Sequence, residues 1–146
     1  MSHELYQQQI KQLAADADDV ERLKFSDCTA SLDTPLCGDE VLVEFKTSAD
    51  GRITEAGYEV SGCLLCRASL SLLNRYALGK KLGDIARVTA NLEEMLVHGR
   101  PTQIDDDIDL NCFKPAQAHA TRHDCVLLPF RAALNALGHS MATSRY

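Results

Sequence analysis

Val41-Leu42-Val43-Glu44-Phe45-Lys46, the turn Ser48-Ala49-Asp50-Gly51, and a second run ending at Tyr58-Glu59-Val60 decide the fold. Val41, Val43 and Phe45 alternate with Leu42, Glu44 and Lys46, and a period of two is that of a half-buried strand. The turn predicts an antiparallel hairpin with the run ending at Tyr58 and Val60. Gly62-Cys63 follows, and from Cys63 to Leu78 the chain is apolar apart from Arg67, Ser71, Asn74 and Arg75. Those four recur at helical spacing and leave a narrow polar stripe, so the segment reads as a mostly buried helix that Gly79 ends.

On the N-terminal side, Leu5, Ile10 and Leu13 form a weak helical stripe that fades into the acidic stretch Asp16 to Glu21, which predicts a surface helix within residues 1–20. On the C-terminal side, 80–86 reads as a short turn or helix. Thr89 is then expected to cap a helix with Leu92, Met95 and Leu96 on one face, stopped at Gly99-Arg100-Pro101. Residues 99–121 read as a loop region. Its Asp105, Asp106, Asp107 and Asp109 lack the glycine and glutamate positions of a calcium loop, so it is expected to be a solvated acidic segment. Leu127, Phe130, Leu134 and Leu137 define a last helix expected to close at Gly138, with a tail over 140–146. Strands early, helices late and no βαβ alternation indicate an α+β domain: a small antiparallel sheet with helices packed on one face.

Composition narrows the function. With 146 residues, 45% of them hydrophobic, the chain can bury a single core, and one domain is expected. A net charge of −6 with scattered Lys and Arg argues against a nucleic-acid partner. The first residues carry no basic-then-apolar leader, and no stretch approaches a membrane span, so a cytoplasmic protein is expected. Six cysteines (Cys28, Cys37, Cys63, Cys66, Cys112, Cys125) in a reducing compartment point away from a disulfide framework. Metal binding, redox work and packing remain open for them.

Their placement is informative. Cys37-Gly38-Asp39 precedes the hairpin, on a loop that can wrap a metal. Cys63 lies at a strand-to-helix junction where the helix dipole favours a thiolate, and Cys125 is expected in the first turn of the last helix with the same advantage. Thiolates with a carboxylate suit a transition-metal or sulfur-handling site. Spacings of this length do not by themselves make a metal motif.

Cys37-Gly38-Asp39, Gly62-Cys63 and Arg122-x-x-Cys125, in this order, resemble the U-type iron-sulfur cluster scaffold family, the NifU-like, IscU and SufU proteins, over residues 33–138. The long interval between Cys63 and Cys125 resembles the SufU branch. The resemblance implies an antiparallel sheet backed by helices and a site in which Cys37, Cys63 and Cys125 are thiolate ligands and Asp39 the oxygen ligand. It implies zinc or iron, or a transient [2Fe-2S] cluster, as the bound species. A cysteine desulfurase and iron-sulfur acceptor or carrier proteins are the implied partners, with the chain a monomer or weak homo-oligomer. The chain would act as a scaffold or sulfur acceptor rather than an ordinary enzyme, with Cys37 the acceptor candidate, Cys125 the alternative and Arg122 in support.

The chain departs from that pattern in three places. Asp124 stands where IscU has a histidine, with His123 one position further back as a possible extra ligand. Cys66 stands where a small residue is usual, and is a spare ligand, a sulfur relay or a packing residue. Pro129 is expected near the first turn of the last helix. Two rival functions remain: zinc-dependent sulfur relay without cluster building, and a C-x-x-C thiol oxidoreductase using Cys63 and Cys66. A purely structural metal is a further possibility. His98 suits a helix C-terminus, and the N-terminal helix is a candidate docking element.

Overall fold

The computed structural model describes residues 2–35, 38–101 and 108–144, with side chains placed for 6–35, 38–101 and 108–138. Helix α1 (Ser2–Asp16) runs into a single 3-10 turn at Ala17–Asp19, and strands β1 (Cys28–Thr34), β2 (Asp39–Thr47) and β3 (Ile53–Ser61) follow. Helices α2 (Leu64–Ala77) and α3 (Leu82–His98), a 3-10 segment at Asn111–Ala118, and α4 (Ala120–Ser144) complete the chain. The strands form an antiparallel meander in the order β1-β2-β3. This is the α+β arrangement expected, with α4 laid across β1 and β2, α2 and α3 packed on α4, and α1 packed on α2.

The period of two in β2 sets the two faces of the sheet. Val41, Val43 and Phe45 point inward, opposite Val60, Tyr58 and Ala56 of β3 and Leu32, Ala30 and Cys28 of β1. Phe45 and Tyr58 meet edge to face at 6.0 Å, and they join Leu70, Leu73, Phe113, Leu127 and Phe130 in one buried cluster. Each such side chain contributes about 1.5–3 kcal/mol by leaving water. On the opposite face Glu44, Lys46, Glu55 and Gly57 look outward, and the segment Glu21–Leu23 crosses over Gly57. Arg22 forks onto Glu44 there, and Tyr58 donates its backbone N–H to Glu21.

Several elements differ from expectation. β1 pairs with β2 from Cys28↔Phe45 to Thr34↔Asp39. It escaped the sequence reading because Cys-Thr-Ala-Ser-Leu-Asp-Thr is small and polar, a composition an edge strand tolerates. The helix expected to start at Thr89 starts at Leu82. Asp84 reaches back to the Lys81 N–H at 3.0 Å and caps it, whereas Thr89 is buried inside the helix with its hydroxyl on the Ile85 carbonyl. Helix α4 begins at Ala120, passes through both Pro129 and Gly138 and reaches Ser144. Gly138 therefore does not close it, and the expected tail is helical over most of its length. The 99–121 region is not loop throughout, since Cys112, Phe113 and Ala116 of its 3-10 segment are buried. The acidic stretch at 105–107 lies outside the described residues. Among the described residues, no helix is long and apolar enough to cross a membrane.

Candidate metal centre

Antiparallel register builds the site. Pairing Glu40 with Ser61 brings the start of β2 beside the exit of β3, so Asp39 faces Gly62-Cys63 across the sheet end. Asp39 is 1% exposed. Its N–H donates to the Thr34 hydroxyl at 3.2 Å, and its Oδ1 accepts the Cys63 N–H at 2.8 Å. Cys63 caps α2 in an extended conformation, φ −71 and ψ 170, so its backbone N–H stands at the positive end of the helix. Its thiol reaches Asp39 Oδ2 at 3.5 Å.

Gly62 makes this approach possible. A Cβ there would sit 2.7 Å from Asp39 Oδ1 and 3.0 Å from Cγ, inside contact distance, so any side chain would push the carboxylate off. The glycine leaves room for the Asp39 side chain, a relation of residues 39 and 62 that only register reveals.

Cys125 arrives from α4. It occupies the second helical turn rather than the first, is 1% exposed, and lies 4.0 Å from the Thr121 carbonyl. The dipole advantage expected of a first-turn thiol is correspondingly smaller, because the effect falls off within one turn. Pro129 is four residues on, so it offers no N–H to the Cys125 carbonyl and its ring crowds that oxygen. The irregularity expected from Pro129 falls on the turn that carries Cys125, which is the second turn of α4 and not the first.

One carboxylate oxygen of Asp39 and the sulfurs of Cys63 and Cys125 lie within 4.8 Å of one another. Two sulfurs and a carboxylate oxygen this close fit the shell of a four-coordinate transition metal. Among the described residues, no lysine, arginine or histidine ion-pairs with Asp39, so its burial lacks the cation that normally accompanies a buried carboxylate. The fit is therefore good, with these three as holders. Cys37 lies outside the described residues. Its neighbour Gly38, with φ 71, donates its N–H to the Thr34 carbonyl at 2.8 Å, just before β2 begins.

Neither possible extra ligand joins the group. Cys66 is fully buried one turn into α2, and burial, with the nearby charges of Asp39 and Cys63, pushes its thiol up to about 12. His123 places Nε2 3.0 Å from the Gln117 carbonyl, and Asp124 pairs with Arg131 at 2.9 Å. Arg122 is exposed and lines a groove with Tyr6, Lys11, Leu64 and Phe113. Cys28 and Cys112 are buried, and burial raises both thiols. His98 is the last residue of α3, 4.0 Å from Glu94, and Gly99 in the left-handed conformation caps the helix. Thr34, which holds the Asp39 backbone, gave no signal in the sequence, because a threonine five residues away becomes a partner only through the strand turn.

The chain matches the NifU-like N-terminal domain model over residues 5–119. It is similar to the crystal structure of a nitrogen-fixing NifU-like protein (N-terminal) from Brucella abortus, with a TM-score of 0.86, 26% identity and 92% of each chain covered. It also shares its fold with a protein from Fervidobacterium islandicum AW-1 described as an iron-sulfur cluster assembly scaffold for the SUF system. That match has a TM-score of 0.79 and 23% identity, and covers 94% of this chain and 99% of the other. No curated protein matches the chain at a significant level. The domain match, with the meander that carries Asp39 and Cys63 to one end, places the chain in the NifU-like N-terminal domain family, the U-type scaffold family of iron-sulfur cluster assembly.

Proposed function

We propose that the chain is an iron-sulfur cluster assembly protein of the SufU type. It holds zinc, iron or a nascent [2Fe-2S] cluster through Cys37, Asp39, Cys63 and Cys125, and it accepts sulfur from a cysteine desulfurase in the cytoplasm. The convergence of Asp39, Cys63 and Cys125 within 4.8 Å carries the reading. A bound metal keeps its thiol ligands deprotonated at neutral pH. The chain's own residues do the rest. The Cys63 N–H and the bare Gly62 hold the Asp39 carboxylate at the sheet end. The partly exposed Cys63 faces incoming partners, and the buried Cys125 ranks behind Cys37 as an acceptor. A cysteine thiolate, with Cys37 first and Cys125 second, attacks the outer sulfur of the desulfurase persulfide. The sulfur–sulfur bond breaks, the outer sulfur moves to the chain, and the desulfurase recovers its thiolate. Arg122, exposed on the neighbouring groove, supports this step by attracting the partner's anionic groups.

Zinc relay without cluster building is the second reading, favoured by the hard carboxylate within a compact set of soft ligands, which is a zinc-like donor mixture. One experiment separates the readings: metal content and visible absorption of the untagged chain, before and after anaerobic incubation with iron, desulfurase and cysteine. Thiolate-to-iron absorption that survives Cys66→Ser and shifts with Asp39→Ala supports the scaffold. Bound zinc with sulfur uptake but no such absorption supports the relay. A chain that binds no metal, and whose active thiols are only Cys63 and Cys66, would overturn both in favour of a thiol oxidoreductase. The antiparallel meander counts against that last outcome, since a thioredoxin-like site sits beside a βαβ unit.

A further inference from the structure

We propose that Cys63 and Cys66 form a dithiol that converts accepted sulfur into sulfide. The inference rests on the sulfur-acceptor reading above and follows from an electron count. Persulfide sulfur arrives at oxidation state zero, whereas a cluster contains sulfide, so each sulfur needs two electrons. Two thiols closing into a disulfide release that number.

The head of α2 has the required layout. Cys63 is the capping residue and Cys66 the third helical residue. Positions three apart on a helix are neighbours, with Cβ atoms about 5–6 Å apart. Closing a disulfide needs about 3.5–4.5 Å, a difference that side-chain rotation and the non-helical backbone of a capping residue can take up. The two thiols are also unequal in access. Cys63 is partly exposed beside the exposed Leu64, whereas Cys66 is completely buried beneath it. The outer thiol meets a sulfur donor, and the inner one is shielded from solvent oxidants. Cys66 is also absent from the converging metal-ligand group, so the metal set does not need it.

The step balances without an added oxidant. The Cys63 thiolate takes the outer sulfur from the persulfide of the thiol that first accepted it, whose S–S bond breaks to restore its thiolate, and this makes Cys63–S–SH. Cys66 Sγ attacks Cys63 Sγ, the bond to the outer sulfur breaks, and that sulfur leaves as HS⁻ with the bonding electron pair, while the proton lost by Cys66 converts it to H2S. The two cysteine sulfurs are oxidised to a disulfide while the outer sulfur is reduced by two electrons. The sulfide appears beside Asp39 and Cys125, and an external dithiol reductant restores the pair. Because Cys63 also belongs to the metal set, zinc bound beforehand blocks the step.

The test mixes reduced, metal-free full chain with persulfide-loaded cysteine desulfurase freed of excess cysteine and of any reductant. Wild type, Cys66→Ser and Cys66→Ala are compared by sulfide release and by mass spectrometry of the peptide holding residues 63 and 66. Wild type should release about one sulfide per chain and acquire a Cys63–Cys66 disulfide, and zinc pre-loading should suppress both. The variants should keep the sulfur as persulfide and release sulfide at least about tenfold less until a dithiol is added. Sulfur uptake by all three chains with no Cys63–Cys66 disulfide in wild type, or equal sulfide release by the variants, overturns the dithiol and leaves the acceptor reading standing. No sulfur uptake by any chain overturns the acceptor reading itself. Should the variants fail to fold, the wild-type linkage still decides: a disulfide joining Cys63 to Cys37 or Cys125 overturns the proposal.

Discussion

Strand β2 buries two carboxylates, Asp39 at 1% exposure and Glu44 at 6%, and the fold treats them in opposite ways. Glu44, on the outward face, receives a two-pronged Arg22 at 2.8 and 2.9 Å and the Leu23 N–H at 3.0 Å. Its negative charge is matched within the chain, and the Arg22 hydrogen bond holds its carboxyl below the usual glutamate value. Asp39, on the inward face, receives backbone N–H from Cys63 and stands against two thiols, with no cation from the described residues. Burying a charge without a counter-ion costs several kcal/mol, and metal binding recovers that cost. One carboxylate therefore ties a surface segment to the sheet, and the other, in the function proposed above, prepares a place for a cation supplied from outside.

The largest effect should come from Asp39→Asn, which keeps the shape and the acceptor for the Cys63 N–H but removes the charge. Zinc affinity, read by chelator competition, should fall about 100-fold. The metal-free variant should melt no lower than wild type, because the uncompensated charge is gone. A large loss of metal-free stability would mean that Asp39 is a structural carboxylate like Glu44. Gly62→Ala comes next. Its new methyl would sit 2.7 Å from Asp39 Oδ1, and affinity should fall about tenfold as the carboxylate turns away, with helical circular dichroism preserved.

The outward carboxylate gives the reverse pattern. A methyl at Gly57 would lie 2.6 Å from the Leu23 nitrogen, so Gly57→Ala should lift the crossing segment. Stability should drop by about 1 kcal/mol in a denaturant titration, with zinc affinity unchanged. The smallest effect concerns pH. A glutamate whose folded value is lowered stabilises the fold above its unfolded value of about 4.3, and the contribution is lost as pH falls through the folded value. Glu44→Gln should therefore flatten the acid limb of the stability curve below about pH 4.3 while leaving neutral-pH metal binding alone. A variant with the same acid limb as wild type would show that Arg22 does not hold the carboxylate in solution.

What sequence could read, and what it could not, follows the same division. The β2–β3 hairpin and α2 were legible because their apolar residues repeat at two and near four, signals that burial enforces. The set Asp39, Cys63, Cys125 was legible only through resemblance, since its members are 24 and 62 positions apart and meet by strand register and helix crossing. β1 was hidden because small polar residues suffice at a sheet edge. The true start of α3 was hidden by Gly83, which weakens a helical reading, while its cap is an aspartate reaching backward from position 84. Pro129 and Gly138 look like stops. Inside α4, packing of Val126, Leu127, Phe130 and Ala133 against the core outweighs a lost hydrogen bond and a flexible residue.

The site proposed at the β2 end would hold a cation by thiols and a carboxylate. Anaerobic titration of the reduced chain with cobalt(II), followed by absorption, tests it most directly. Saturation is expected at about one cobalt per chain, with sulfur-to-metal charge-transfer bands and intense tetrahedral ligand-field bands. Both should weaken in Cys63→Ser and Cys125→Ser, shift in Asp39→Asn, and persist in Cys66→Ser. Absence of thiolate bands, or a spectrum indifferent to Asp39, Cys63 and Cys125, would contradict it.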